Sequence, residues 1–328
     1  MNVRGTITRI FALQSAWIIV ALIGIVAVFT AMRPEVFLTP FNIRSMASDA
    51  SILLVLAVGQ TLVIIARGID LSVGSVLVFA GVVAAKFLEA NGGLEAGTGT
   101  IIVGALVACA AGAAWGLLNG VLIAKLKIPS LIATLATMGA ALGLAQIITG
   151  GIDLRGIPTG LTESLGYGRT IFGIPWLVVT AAIIAGIGAV ALHLLRFGRH
   201  TFAVGSNEEA ARRVGINVDM HQIKVYVVCG LCAGIAGYLS LAKFASTTIS
   251  GHSTDNLATV TAVVLGGASL FGGVGSMGGT TVGVLIPTVL ASGLVIVGVQ
   301  PFWQSVAVAI VLVLAVYLDQ VKRRRRAG

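Results

Sequence analysis

Ten long apolar runs dominate the chain, near 11–32, 48–66, 71–90, 100–124, 129–149, 175–195, 223–245, 257–271, 279–299 and 301–319. Roughly 20 apolar residues are enough for a helix to cross the hydrocarbon core of a bilayer. Backbone groups in lipid have no water to bond, so such runs must be helices, and they are too long and too uniformly apolar for barrel strands. The expected fold is therefore all-α, a polytopic integral membrane helical bundle of about 10 transmembrane helices in a single domain over residues 1–328.

Composition supports lipid as the solvent. Only 10% of the 328 residues are charged and 57% are hydrophobic, too few polar side chains to clothe a soluble surface of this size. The first run has no small-x-small cleavage site after it, so it reads as a retained helix rather than a removed signal. The net charge of +9 is not laid along one helical face with interleaved aromatics, which argues against nucleic acid. Of the three cysteines, Cys229 and Cys232 have redox CxxC spacing but fall inside an apolar span, so neither redox nor metal chemistry is expected there.

Ten spans put both termini on one side. Placing that side in the cytoplasm gives fifteen Lys and Arg inside, including Arg67, Lys125, Lys127, Arg212, Arg213 and the terminal KRRRRAG cluster, against six outside. This satisfies the positive-inside rule and makes the polar island FGRHTFAVGSNEEAARRVGINVDMHQIK, residues 197–224, cytoplasmic. The long loop near 150–174 then lies outside, either as a passive connector or as a cover or receiving surface at a pore mouth.

Within the island, Ser206 followed by Glu209 has the spacing of a capping box, with Asn207 between them. Glu208 to Arg212 and Glu209 to Arg213 are i to i+4 pairs in the favourable order, and Gly215 suits a left-handed stop. The pattern predicts a helix of about two turns from Ser206 to Val214, too short to be stable alone and expected either to pack on something or to act as a solvated linker.

Two Gly-rich breaks interrupt the apolar pattern. In IARGIDLSVGS, Gly68, Asp70, Ser72 and Gly74 permit a tight turn in which Asp70 or Ser72 caps the next helix, although an ionisable group at that depth can also line a path. In VLGGASLFGGVGSMGGTTVGV, Gly273, Gly275 and Gly278 match a dinucleotide fingerprint, but with no strand before them they read as turn and packing glycines. Gly112, Gly116 and Gly120, like Gly275, Gly279 and Gly283, have helix-contact spacing, whereas the VGS repeat at 73–75 and 274–276 is too short to exceed chance. The uncharged polar residues Gln60, Asn119, Thr134, Thr137 and Gln146 within spans, and Asn256 at the edge of one, either bond helices together or line a route for a hydroxyl-rich solute.

Several chemistries have no motif here. There is no Walker A loop, no HExxH and no nucleophile elbow, so no catalytic residue, metal or cofactor is expected. The spans also lack the carboxylates of an ion-coupled carrier, so energy for transport would come from elsewhere.

GIDLSVGS at 68–75, GSNEEAARRVGIN at 205–217, AVVLGGASLFGGVGSMGGTTVG at 262–283 and GVQPFWQ at 298–304 closely resemble the permease subunit of bacterial monosaccharide ABC importers of the ribose, xylose and galactose type, over about 45–320. The resemblance implies a multi-pass protein of the bacterial inner membrane that pairs with a second permease subunit, identical or not. It also implies cytoplasmic ABC ATPase subunits and an extracytoplasmic sugar-binding protein as partners. By the same resemblance, Ser206 to Gly215, within a coupling segment at 198–222, maps onto the short helix that docks in the ATPase. Relatives often carry Glu-Leu-Asp-Ala-Ile where this chain has Asn256, Leu257, Ala258, Thr259 and Val260. Two carboxylates are thus absent, and any solute or binding-protein contact that rests on them differs here. A related permease for another small polar solute, such as a branched-chain amino acid, and a self-contained secondary carrier are the competing readings.

Overall fold

A computed structural model describes residues 3–252 and 254–300 with scattered positions from 303 to 317, and side chains from residue 18 onward. No strand occurs among the described residues. The helices are α1 Val3–Met32, α2 Pro34–Phe37, α3 Pro40–Ile65, α4 Val73–Ala90, α5 Thr98–Ala124, α6 Ser130–Thr149, α7 Thr159–Leu161, α8 Trp176–His193, α9 Arg196–Ser206, α10 Glu208–Arg213, α11 Val218–Phe244, α12 Asp255–Leu265 and α13 Met277–Ile296.

Seven of these, α3, α4, α5, α6, α8, α11 and α13, are long and apolar enough to cross a membrane. The helical bundle expected from the apolar runs is therefore present, with one run corrected. The run near 257–271 forms α12, only 11 residues. At 1.5 Å per residue it spans about 16 Å, half of a hydrocarbon core. It stops because Gly266 and Gly267 follow, the latter in the left-handed region at φ 92°. About half of the run near 301–319 lies outside the described residues.

The exterior is as apolar as lipid requires. Ile132 and Ile147 on α6 and Ile183 and Ile187 on α8 are exposed. The core instead forms around α3 and α11, whose inner halves are almost completely buried. Leu56, Leu62 and Ile65 of α3 meet Val225, Cys229 and Ala233 of α11 there.

The most extensive helix crossing is between α5 and α11, and the glycine spacing explains how the two backbones approach. A Cβ at Gly112 would lie 2.7 Å from the Gly234 nitrogen, one at Gly116 would lie 2.9 Å from the Val227 Cα, and one at Gly120 would lie 2.8 Å from the Ile223 Cα. Dispersion and close backbone approach hold helices together where the surroundings are as apolar as the side chains. Gly116→Val is expected to destabilise the fold by about 1–3 kcal/mol by overpacking against fixed backbone. Thermal unfolding in detergent checks this, and an unchanged midpoint would show that the crossing can open freely.

Candidate functional site

The polar island folds as two helices set end to end. α9 is strongly amphipathic and ends at Ser206, so Ser206 closes one helix instead of opening the next. The expected Ser206–Glu209 capping box does not form. Asn207 takes the cap position, its Oδ1 accepting the Ala210 N–H at 2.9 Å, because its extended backbone turns the chain between the helices. α10 is thus six residues, Glu208–Arg213. Both expected ion pairs are present, Arg212 on Glu208 at 3.0 Å and Arg213 on Glu209. Gly215 stops the helix at φ 86°. Arg212 also bonds Asp219 at the start of α11, and this carboxylate, followed by Glu208, raises the guanidinium further above its ordinary pKa.

The junction of α9 and α10 is seated on the end of α3. The Gly273 N–H donates to the Ile65 carbonyl at 2.9 Å. Gly205 lies against both, since a Cβ there would be 2.8 Å from the Gly273 nitrogen and would overlap the Ile65 oxygen. Gly273, at φ 73°, abuts Ser206, and Gly275 fits against the Ile65 side chain. Displacement of α10 therefore bears directly on α3 and on the loop between α12 and α13.

Beyond Ile65 the chain turns back into the bundle, and the polar residues of the spans gather on this turn. Asp70 is 2% exposed; its Oδ1 accepts both the Ser72 N–H at 2.8 Å and the Ser72 hydroxyl at 2.6 Å. Gln60, its amide turned so that each atom meets a partner, donates to the Asp70 carbonyl at 3.1 Å and accepts the Asp70 N–H at 3.3 Å. Asn119 donates to the Ser72 hydroxyl at 2.9 Å and accepts from Thr137 at 2.7 Å. Thr134 accepts the Leu71 N–H at 3.1 Å and donates to the Ile69 carbonyl at 3.2 Å. Asn256 accepts the Gly74 N–H at 2.6 Å, so α12 satisfies an unpaired donor in the first turn of α4. Gly74 is required at that contact, where a Cβ would lie 2.6 Å from the Asn256 oxygen, and Gly68 lies flush against the Tyr226 hydroxyl. Gln146 stands apart, on an exposed part of α6.

At the opposite end of the bundle a cavity of about 450 Å³ opens beside α3 and α13. Its polar lining includes Asn42, Asp49, His252, Asp255, Thr288 and Ser292. His252 is held in place, its Nδ1 2.7 Å from Asp255 and its Nε2 2.8 Å from Ser240. Sequence reasoning missed this lining because its residues come from three distant segments and each is ordinary alone; only the i to i+3 spacing of His252 and Asp255 was visible. The loop after α6 reaches the same end, where Asp153 accepts the Ile249 N–H at 2.9 Å. Among the described residues, no three His, Cys, Asp or Glu side chains come together as a possible metal site.

Comparison with known proteins places this architecture. A family described as the branched-chain amino acid transport system permease component matches residues 42–316. Ribose import permease protein RbsC of Escherichia coli strain K12 is 37% identical over 311 residues, 93% of each chain. Galactose/methyl galactoside import permease protein MglC of the same strain is 32% identical over 324 residues, 96% of each. Its D-allose transport system permease protein AlsC is 33% identical over 297 residues, 90% of this chain and 88% of that one. Matched over most of its length, the chain belongs to the permease components of ATP-binding-cassette importers, multi-pass translocation subunits of the bacterial inner membrane rather than enzymes.

Proposed function

We propose that the chain forms the membrane pathway for a monosaccharide, received from an extracytoplasmic binding protein and moved by cytoplasmic ATPase subunits. The family implies both kinds of partner. In this reading both termini and the segment 198–222 are cytoplasmic, the whole chain acts as one permease domain, and it pairs with a second permease subunit. The relatives, which are named for ribose, galactose and allose import, support a monosaccharide as the solute. The 450 Å³ cavity suits such a solute, because its carboxylate, amide and hydroxyl lining can accept from and donate to a ring of hydroxyl groups.

The observation that carries the mechanism is the seat of the α9–α10 junction on the Ile65 carbonyl. ATPase closure would move α10, with Ser206, Asn207, Glu208, Glu209, Arg212, Arg213 and Gly215 forming or shaping the docking surface. Gly205 and Gly273 pass that movement to α3 and α12–α13 as rigid bodies, the mode by which packed elements switch between discrete arrangements. Gln60, Asn119, Thr134, Thr137 and Asn256 then tie the turn at Gly68–Gly74 to the moving helices, a support for the pathway rather than its lining.

Gly215→Val puts a β-branched residue at a left-handed position and disrupts the end of α10, while Asn207→Ala removes its cap at a cost of about 1 kcal/mol. Both variants are expected to insert normally; Gly215→Val should lose ATPase association and uptake, and Asn207→Ala should weaken both by a few-fold. Co-purification with the ATPase and binding-protein-dependent uptake into proteoliposomes read the two effects. Normal association and uptake in Gly215→Val would sink the assignment of α10.

A further inference from the structure

A second cavity, of about 220 Å³, lies beside the start of α10, between the Arg67–Gly68 turn, the α5–α6 connection and the first turns of α11. Its polar lining is Arg67, Lys127, Ser130, Glu208, Gln222 and Tyr226. Three non-glycine residues among those described have positive φ, and two of them are its cations, Arg67 at 67° and Lys127 at 58°. Both follow a helix C-terminus, of α3 and α5, where a left-handed residue closes the helix and carries each cation to the cavity. Behind the wall, the Tyr226 hydroxyl is buried without a hydrogen-bond partner, and a bound acceptor would satisfy it. Ser130 accepts the Ile69 N–H at 3.3 Å, which leaves its own hydroxyl hydrogen to donate.

The charge balance gives the ligand its sign. Lys125 at 3.8 Å, Lys127 at 3.0 Å and Arg212 all converge on the single carboxylate of Asp219. Glu208 is taken by Arg212 at 3.0 Å. Arg67 makes no ion pair among the described residues. The lining itself thus carries two cations, Arg67 and Lys127, against the one carboxylate of Glu208, and the surplus favours an anion. Glu208 and the Gln222 amide add acceptors to the lining, which suits hydroxyl donors on the ligand.

We propose that this cavity binds a small phosphate ester of a polyol, its phosphate on Arg67, Lys127 and Ser130 and its hydroxyls toward Glu208 and Gln222. A phosphorylated sugar in the cytoplasm and the glycerol phosphate headgroup of an anionic lipid share this chemistry. Occupancy would fasten Glu208 to the Arg67–Gly68 turn and hold α10 against the bundle, a regulatory consequence that rests on the coupling role proposed above.

The test is calorimetric titration of the full chain in phosphatidylcholine nanodiscs with ribose 5-phosphate, inorganic phosphate and ribose. Saturable binding of ribose 5-phosphate is expected, at least about tenfold tighter than either of the other two, since charge-assisted bonds and hydroxyl contacts each add affinity. Arg67→Asn with Lys127→Asn should weaken it about tenfold or more, because Asn removes the charge yet tolerates the left-handed backbone. Phosphatidylglycerol that co-purifies with the native chain but not the double variant, and competes with ribose 5-phosphate, would identify the headgroup as the source of the same chemistry. No saturable binding of either source, equal binding by the double variant, or inorganic phosphate or ribose binding as tightly would overturn the proposal. Ribose 5-phosphate that binds as expected but leaves ATPase association unchanged would count against the coupling role of α10 and not against the site.

Discussion

Gly205→Val is expected to leave the chain inserted and its ATPase bound while lowering solute uptake by up to about 100-fold, the factor that about 3 kcal/mol of misfit produces in a two-state equilibrium. The position is the penultimate residue of α9, and its missing Cβ is what allows the Ile65 carbonyl and the Gly273 nitrogen to approach. A valine there must separate α9 from the end of α3 and break the 2.9 Å bond from Gly273 to Ile65. α10 keeps its Asn207 cap and its two ion pairs, so its outward face is unaltered. Loss of uptake with ATPase association retained separates transmission from docking, because Gly215→Val is expected to lose both. ATP hydrolysis that continues without transport would be the signature in reconstituted complexes. Uptake close to that of the native chain would show that α10 acts on the bundle by another route.

The parts of this arrangement that were legible in the sequence are those set by local pattern. Uninterrupted apolar runs identified α3, α5 and α11 as spans, and four-residue glycine spacing identified Gly112, Gly116 and Gly120 as a contact face, because both depend on residues near one another in the chain; that α11 is the partner follows only from the fold. The α10 ion pairs and the Gly215 stop were legible for the same reason. The cap was misplaced by one residue because Ser206 and Asn207 are both good capping residues, and the choice was made by α9, whose helix continues through Ser206. The extent of α12 was misread because hydropathy continues through Leu265, Ala268 and Leu270, whereas the backbone is broken at Gly267. Gln60, Asn119 and Thr137 could be named as buried polar residues, but nothing in their spacing shows that they converge on one turn. The cavity lining of Asn42, His252 and Ser292 depends on tertiary packing alone.

Asp70 separates two readings of that turn, and its variants are expected to diverge sharply. As a path-lining or ion-coupling group it would act through its charge, and Asp70→Asn would abolish transport. As the hub of the turn it acts through its oxygen, which receives the Ser72 N–H and hydroxyl while Gln60 holds the backbone of the same residue from α3. Asn retains that acceptor, so Asp70→Asn is expected to fold and to retain uptake within a few-fold. Asp70→Ala strands two buried donors at about 1–3 kcal/mol each and frees Ser72, to which Asn119 and through it Thr137 are bonded, so about 2–6 kcal/mol of stability should be lost. Thermal unfolding in detergent reads the fold, and proteoliposome uptake reads the function. A double-mutant cycle with Asn119→Leu should show strong coupling, because both residues act through the Ser72 hydroxyl. If Asp70→Asn folds as the native chain does but transports nothing, the carboxylate charge is the working part and the hub reading fails. If Asp70→Ala unfolds while Asp70→Asn transports, the turn is what holds α4 in register with Asn256 of α12, and the polar residues of the spans serve the moving parts rather than the solute.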